Sequence, residues 1–351
     1  MEPPRRPPES APRAGDRAIA NWLFACALLV ALMVVVGGVT RLTRSGLSIV
    51  EWQPLLGALP PVGEGAWLEE FAKYQRSPEF KLVNRHLDLA GFQRIYWVEW
   101  SHRLLGRLIG LAFGLPLFLF AVRGRLDGRR VRRFLALLLL GGLQGALGWF
   151  MVRSGLVDRP EVSPYRLTAH LTFALALFAA LLWSALDERG ADAAAAPPTP
   201  PPRRLVGGLI ALLGVTIVWG GLMAGFRAGH VAPTFPTMNG ALLPDGLGAL
   251  SPWPANLVAN AVTIHFLHRL LAYLVAGLCL LLYARLAAWR PRVGALATAL
   301  VALVVLQIAL GALTVLHHVP IPLATLHQGN AVVLLAVALA ILHRLRPLPS
   351  P

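Results

Sequence analysis

The sequence predicts an all-α polytopic membrane protein, with eight transmembrane helices arranged as two tandem-repeat four-helix bundles and both termini cytoplasmic. Three observations carry that reading. Of 351 residues, 56% are hydrophobic and only 14% charged, where a soluble protein carries charge on about a quarter of its residues. Apolar runs recur at the ~20-residue length that crosses the hydrocarbon core. Arginines crowd alternate ends of those runs, as the positive-inside bias requires.

Taken in order, residues 1–17 are Pro-rich and read as a disordered cytoplasmic segment. The first apolar run, 18–40, follows Arg5, Arg6, Arg13 and Arg17, and is too long and too well continued for a cleaved signal peptide. A long outer loop, 41–94, leads to the second run, 95–122. Arg123, Arg125, Arg129, Arg130, Arg132 and Arg133 mark the inner turn before the third run, 134–152, and the fourth spans 166–187. A Pro/Ala-rich cytoplasmic linker, 188–203, divides the chain, and Arg203 and Arg204 introduce the fifth run, 204–225. The sixth, 261–285, seventh, 293–316, and eighth, 323–343, are flanked by Arg285, Arg290 and Arg292, and Arg344 and Arg346 open a cytoplasmic tail, 344–351. The expected units are therefore 18–187 and 204–343.

The net charge of +15 sits at helix ends, which argues for the lipid bilayer and against nucleic acid as the partner. Cys26 and Cys279 lie inside apolar runs and give neither a disulfide framework nor a thiolate metal site. No Gly-rich strand–turn–helix fingerprint points to flavin or NAD.

The two halves repeat one another. EWSHRLLGRLIG (99–110) matches HFLHRLLAYLVAG (265–277), LQGALG (143–148) matches LQIALG (306–311), and YRLTAHLTFALALFA in the fourth run matches PLATLHQGNAVVLLA in the eighth. VVVGGVTRLTRSG likewise echoes VWGGLMAGFRAG. Four helices per unit keep both halves in the same orientation, a parallel repeat about the membrane normal.

His102, His170, His268 and His327 fall on even-numbered runs, each one to two turns, roughly 5–10 Å, below the outer surface. A lone histidine in an apolar helix is ordinarily a hydrogen-bonded core residue; four at matched places point to function. Facing imidazoles with no thiolate or carboxylate cluster suit haem iron better than zinc. One haem pocket per half follows, with Gly-rich stretches such as GGLQGALG letting the flat ring approach the backbone or, equally, serving helix packing.

The halves differ at Glu99, three residues before His102, where the second half has His265 before His268. That spacing puts each pair on one helix face. A carboxylate can position water, move protons or stabilise a cation, so Glu99 marks a reacting site; the alternative is an ion pair with Arg103 or Arg94. His265 is an auxiliary candidate, or a hydrogen-bond partner of backbone or propionate. Arg41, Arg44, Arg103, Arg166 and Arg269 are candidate contacts for anionic propionates, with lipid headgroups as the alternative. His86, His230, His317, His318 and His343 lack repeat partners and read as solvated.

GGVTRLTRSGLSIVEWQPLLGALPP, EFKLVNRHLDLAGFQRIYWVEWSHRLLGRLIG, SPYRLTAHL, AGHVAPTFPTMNG and TLHQGN resemble the haem A synthase family, in its alphaproteobacterial and mitochondrial form, across nearly the whole chain. The resemblance implies an oxidoreductase that converts the C8 methyl of haem O to a formyl group by two hydroxylations and loss of water, supplying haem A to cytochrome oxidase. It implies that His102 and His170 face the substrate haem, that His268 and His327 ligate a retained haem b, and that Glu99 is catalytic. It also implies a bacterial inner-membrane location with the haem sites near the periplasm. Haem O would be delivered by a haem O synthase, an electron acceptor or donor is required, and a homo-oligomer stays open. One departure stands out: some members carry a cysteine pair in the first outer loop, and residues 41–94 contain none. Two other functions fit the residues alone, a bis-histidine di-haem electron carrier and a haem transport module. The Glu99/His265 difference speaks against the first, and the clustering of polar groups near one face speaks against the second.

Overall fold

The computed structural model describes residues 16–53, 56–157, 160–190, 197 and 199–346. The sequence expectations for 1–15, for linker residues 191–196 and 198, and for tail residues 347–351 lie outside the described residues.

Eleven α-helices follow one another among the described residues: α1 (Arg17–Leu42), α2 (Glu64–Gln75), α3 (Pro78–Leu82), α4 (Leu89–Val122), α5 (Gly128–Arg153), α6 (Pro164–Arg189), α7 (Arg203–Gly225), α8 (Asn256–Ala259), α9 (Ala261–Arg285), α10 (Arg290–Leu316) and α11 (Ile321–Arg344). Eight of them, α1, α4–α7 and α9–α11, are long and apolar enough to cross a membrane. No β-strand forms among the described residues; Met238 and Ala241 make an isolated antiparallel bridge.

Two helices begin six residues earlier than hydropathy alone predicts, α4 at Leu89 and α5 at Gly128. Aspartate caps explain both starts: Asp88 accepts from Gly91 N at 2.7 Å and Asp127 from Arg130 N at 2.8 Å, satisfying amides that the first helical turn leaves unpaired. The polar first turns fall outside any apolar window. The loop expected over 41–94 is likewise partly helical, with α2 and α3 packed on the start of α4 through Tyr74, Phe92, Tyr96, Trp67 and Phe80.

The core lies in two apolar clusters. One joins α1, α4, α5 and α6 around Trp22, Phe113 and Phe134, with Trp22 4.9 Å from Phe113 and edge-on to Phe134 at 5.4 Å. The other joins α7, α9, α10 and α11. Helix α11 serves both, giving Val332, Leu335 and Leu339 to the first and Leu334, Ala338 and Ile341 to the second. Lipid offers no hydrophobic drive for this, so close packing has to supply it. Where α7 meets α6, a Cβ on Gly225 would stand 2.6 Å from Pro164 Cβ, so that crossing requires glycine.

Charge marks the two ends of the bundle differently. At the basic end, Asp187 accepts from Arg133 (2.7 Å), Arg346 (2.6 Å) and His343 Nε2 (2.9 Å), tying α5, α6 and α11 together. Arg130 forks onto Glu188 at 3.0 and 2.7 Å. His343 is therefore a packed, carboxylate-bonded residue, not the solvated one that the sequence suggests, and its ring lies edge-on to Trp183 at 5.3 Å. His86, His230, His317 and His318 are exposed as expected. The opposite end carries the long connections 43–88 and 226–260.

Candidate functional site

Each of the four histidines rests on a glycine of a neighbouring helix. A Cβ added to Gly37 of α1 would stand 3.2 Å from Cε1 of His102 on α4, and one on Gly148 of α5 would stand 3.0 Å from Cε1 of His170 on α6. The second half repeats the arrangement: Gly220 of α7 lies under His268 of α9 at 3.2 Å, and Gly311 of α10 under His327 of α11 at 2.9 Å. These glycines seat imidazoles, a more specific use than the general close approach inferred from GGLQGALG. In that stretch only Gly148 meets a histidine; Gly141, Gly142 and Gly145 have no neighbour within 4 Å of the place a Cβ would occupy.

A glutamine holds one histidine of each pair. Gln144 Nε2 lies 3.2 and 3.3 Å from the two ring nitrogens of His170 and donates to its carbonyl at 3.1 Å. Gln307 Nε2 lies 3.2 Å from His327 Nε2 and donates to the His327 carbonyl at 3.0 Å. His327 Nδ1 donates to the Gln307 carbonyl at 3.1 Å, which fixes the tautomer and makes Nε2 the acceptor; in this structure Nε2 faces the Gln307 amide, a contact that an iron bound at Nε2 would replace. Asn330 in turn bonds the Gln307 side-chain oxygen at 2.7 Å. The other two imidazoles, His102 and His268, have no hydrogen-bond partner for Nδ1 among the described residues.

The pair His268/His327 has ring centroids 6.3 Å apart. Metal–nitrogen bonds of about 2 Å on opposite faces of one ion place facing imidazole centroids about 6 Å apart. The two imidazoles would thus fit one iron held between them, such as that of a haem. Among the described residues no cluster of three or more His, Cys, Asp or Glu could hold a bare metal ion.

Glu99 is 2% exposed and both its oxygens are engaged. Oε2 accepts from Ser48 Oγ and from Ile49 N, each at 2.8 Å, and Oε1 accepts from Arg103 Nε (3.0 Å) and Nη2 (2.7 Å). The ion-pair alternative with Arg103 is thus what forms. Arg103 also donates to the carbonyls of Ile49 (2.7 Å) and Glu51 (3.0 Å), and Arg107, one turn on, donates to Gln53 at 2.9 Å. Alternate carbonyls of an extended segment are strapped along α4, satisfying backbone that lipid could not.

The second half copies the clamp with a different first residue. His265 Nε2 accepts from Arg269 Nε at 3.0 Å, and Arg269 donates to the carbonyls of Ala232, Thr234, Pro236 and Thr237 at 2.8–3.3 Å. Arg103 and Arg269, expected to face propionates, are engaged by these loop carbonyls in the structure. Arg166 donates to the Phe150 carbonyl at 2.8 Å with its guanidinium 3.7 Å from that ring. Arg41 is half-buried, close enough to Arg227 and Glu161 for their charges to act on it, and Arg227 pairs with Glu161 at 2.6 Å. Arg44 and Arg227, matched in the repeat, both adopt left-handed backbone, with φ 54° and 51°.

Residues 20–339 match the family model described as COX15-CtaA, cytochrome oxidase assembly protein. The chain belongs to that family. Curated relatives agree in length and name. A heme A synthase of Parvibaculum lavamentivorans is 47% identical over 335 residues, covering 95% of each chain, and one of Rhodospirillum centenum is 45% identical over 355 residues, covering 100% of this chain and 94% of the relative. One of Nitrosospira multiformis is 45% identical and covers 95% of each.

The sequence singles out the four histidines and Glu99 as candidates but not the groups that hold them in the fold. Gln144 and Gln307 stand in the repeated LQGALG and LQIALG, four residues before their glycines, so the signal was present. Ser48 and the backbone of Ile49 carry no comparable mark, because their role depends on the loop folding back onto α4.

Proposed function

We propose that the chain is a haem A synthase that oxidises the C8 methyl of haem O to a formyl group, by two hydroxylations and loss of water, and so supplies haem A to cytochrome oxidase. The observation that carries this reading is a pair of closely similar histidine-on-glycine sites whose clamps differ at one place, Glu99 against His265. An electron carrier needs no such difference. Membership of a cytochrome oxidase assembly family supports it as well.

His102 and His170 bind the substrate haem, with Gln144 setting the His170 ring. His268 and His327 hold a resident haem b, which when bound supplies a one-electron redox centre. Glu99, pinned by four donors, holds its carboxylate one helical turn from His102, suited to stabilising positive charge that develops at the C8 carbon. Arg103 fixes that carboxylate and fastens the loop that excludes water from it. The histidine end faces the periplasm of a bacterial inner membrane, with both chain termini inside, and the two four-helix units arose by duplication.

The test is to express the protein in cells that make haem O, purify it, extract its porphyrins and separate haems B, O and A. Haem A is expected alongside haem B; haem B alone, with haem O available, would overturn the reading in favour of an electron carrier. The glycine seats give a second check. Gly311→Ala puts a Cβ 2.9 Å from the His327 ring, and is expected to lower haem b retention several-fold. Gly277→Ala, on the same half with nothing within 4 Å, is expected to leave it unchanged. Equal reduced-minus-oxidised spectra for the two variants would refute the seat.

A further inference from the structure

The outer segment between α1 and α4 buries a second carboxyl that the proposed chemistry does not use. Glu79, in α3, is 4% exposed although its helix lies outside the membrane spans. The phenol of Tyr74, itself fully buried in α2, donates to Glu79 Oε2 at 3.1 Å, and Asn84 Nδ2 donates to the Tyr74 oxygen at 2.7 Å. That phenol is the single hydrogen-bond donor to the Glu79 carboxyl among the described residues, whereas Glu99 has four. Tyr74 stacks on Phe92 at 5.2 Å and Phe92 meets Tyr96 at 5.6 Å, so the aromatic wall over Glu79 descends α4 to the turn that carries Glu99. Ser45 and Ser48, both buried, lie in the segment that joins α1 to this wall.

The charged groups that face Glu79 come from each neighbouring element. Glu99 of α4 and Glu161 of the α5–α6 connection disfavour its ionised form, Arg44 after α1 favours it, and all three are near enough to act on it. Burial outweighs the phenol's hydrogen bond and pushes the carboxyl up from its ordinary value to about 7. Burial also pushes the Tyr74 phenol well up, so it remains a donor. A carboxyl poised there exchanges a proton with least loss in either direction near neutral pH. The second half has no counterpart: its outer loop puts Asn256 and Asn260 in the buried polar positions.

We propose that Glu79 is the proton-exchange group of the N-terminal site, passing protons between the surroundings of Glu99 and the water at the loop end, with Tyr74 as its positioning residue. Both oxygens of Glu99 are already taken by Ser48, Ile49 and Arg103, whereas Glu79 has one donor among the described residues, so Glu79 does the carrying. In each transfer the Glu79 carboxylate accepts one proton and becomes neutral, then yields it on the opposite side and is a carboxylate again. No electron moves in this step. The proposal rests on the synthase reading, since it needs a reaction at C8 that takes up or releases protons.

The test compares wild type, Glu79→Gln and Tyr74→Phe as purified, haem-loaded full-length proteins. Glu79→Gln keeps an acceptor for Tyr74, so bound haem is expected to be unchanged. Haem A formation at pH 7 should fall about tenfold or more, and the limb of the pH profile centred near 7 should vanish. Tyr74→Phe removes a donor to the charged form, so it should move that limb to higher pH. Infrared difference spectra should show a protonated-carboxyl band that titrates near neutral pH in wild type and is missing from Glu79→Gln. Turnover and pH profile equal to wild type in Glu79→Gln, or an infrared band that Glu79→Gln retains, would overturn the proposal. If Glu79→Gln fails to fold, the Tyr74→Phe shift decides: an unmoved profile overturns it. Wild type that makes no haem A sinks the synthase reading instead, and the two failures are told apart by that control.

Discussion

Replacing Glu99 by glutamine is expected to leave bound haem intact while haem A formation falls by about 100-fold, the usual cost of removing one preorganised electrostatic group from a dry site. Glutamine is the milder of the two obvious substitutions. Its oxygen can still accept from Ser48 Oγ and Ile49 N, and Arg103 keeps its bonds to the Ile49 and Glu51 carbonyls, while the amide NH2 replaces the oxygen that Arg103 Nε and Nη2 bond, so that ion pair is lost together with the charge. Glu99→Ala should block conversion too, but it strips three donor groups of their acceptor and loosens the strap as well. Comparing the two separates charge from architecture. The measurement is the haem A to haem B ratio in membranes of cells that produce haem O. Wild-type ratios from Glu99→Gln would remove the carboxylate from the chemistry and leave it as a structural partner of Arg103.

The second large effect concerns the C-terminal pair. His268→Ala or His327→Ala is expected to remove most of the tightly bound haem b, lowering the haem to protein ratio at least tenfold, as loss of an axial ligand from a buried iron should. Added imidazole should restore part of the spectrum, since the glycine beneath either ring leaves room for it. His102→Ala and His170→Ala should instead spare haem b and abolish haem A. A reduced-minus-oxidised spectrum unaffected by both C-terminal substitutions would refute their assignment. An identical loss from all four would mean that the halves hold equivalent haems.

Much of this was readable from residue order because the strongest signals are local or repeated. Spans announce themselves by hydropathy, and four histidines at matched register need only the repeat to be noticed. Glu99 stood out because His265 replaces it. What escaped was whatever depends on chain returning from a distance. Arg103 reads from sequence as a candidate for an anionic ligand, and only the folded loop reveals carbonyls of residues 49 and 51 in its reach. His343 lacks a repeat partner and so looked solvated, yet Asp187, far away in sequence, supplies its carboxylate. The helix starts at Leu89 and Gly128 were hidden for a simpler reason: capping turns are polar. The Tyr74–Glu79–Asn84 network has no periodicity and no repeat, and so gave no signal before the structure.

Helix α11 has a consequence beyond packing. His327 and Gln328 are neighbours on it, and the Gln328 amide donates to the Val34 carbonyl of α1 at 2.6 Å. One turn further along α1, Gly37 carries the His102 ring, and a Cβ on Gly38 beside it would come within 2.8 Å of Gln328 Oε1. His327 of one half and the seat of His102 in the other therefore hang on a single hinge pin. Any movement of α11 that shifts His327 also shifts the floor beneath His102, so the two proposed haem sites are mechanically coupled.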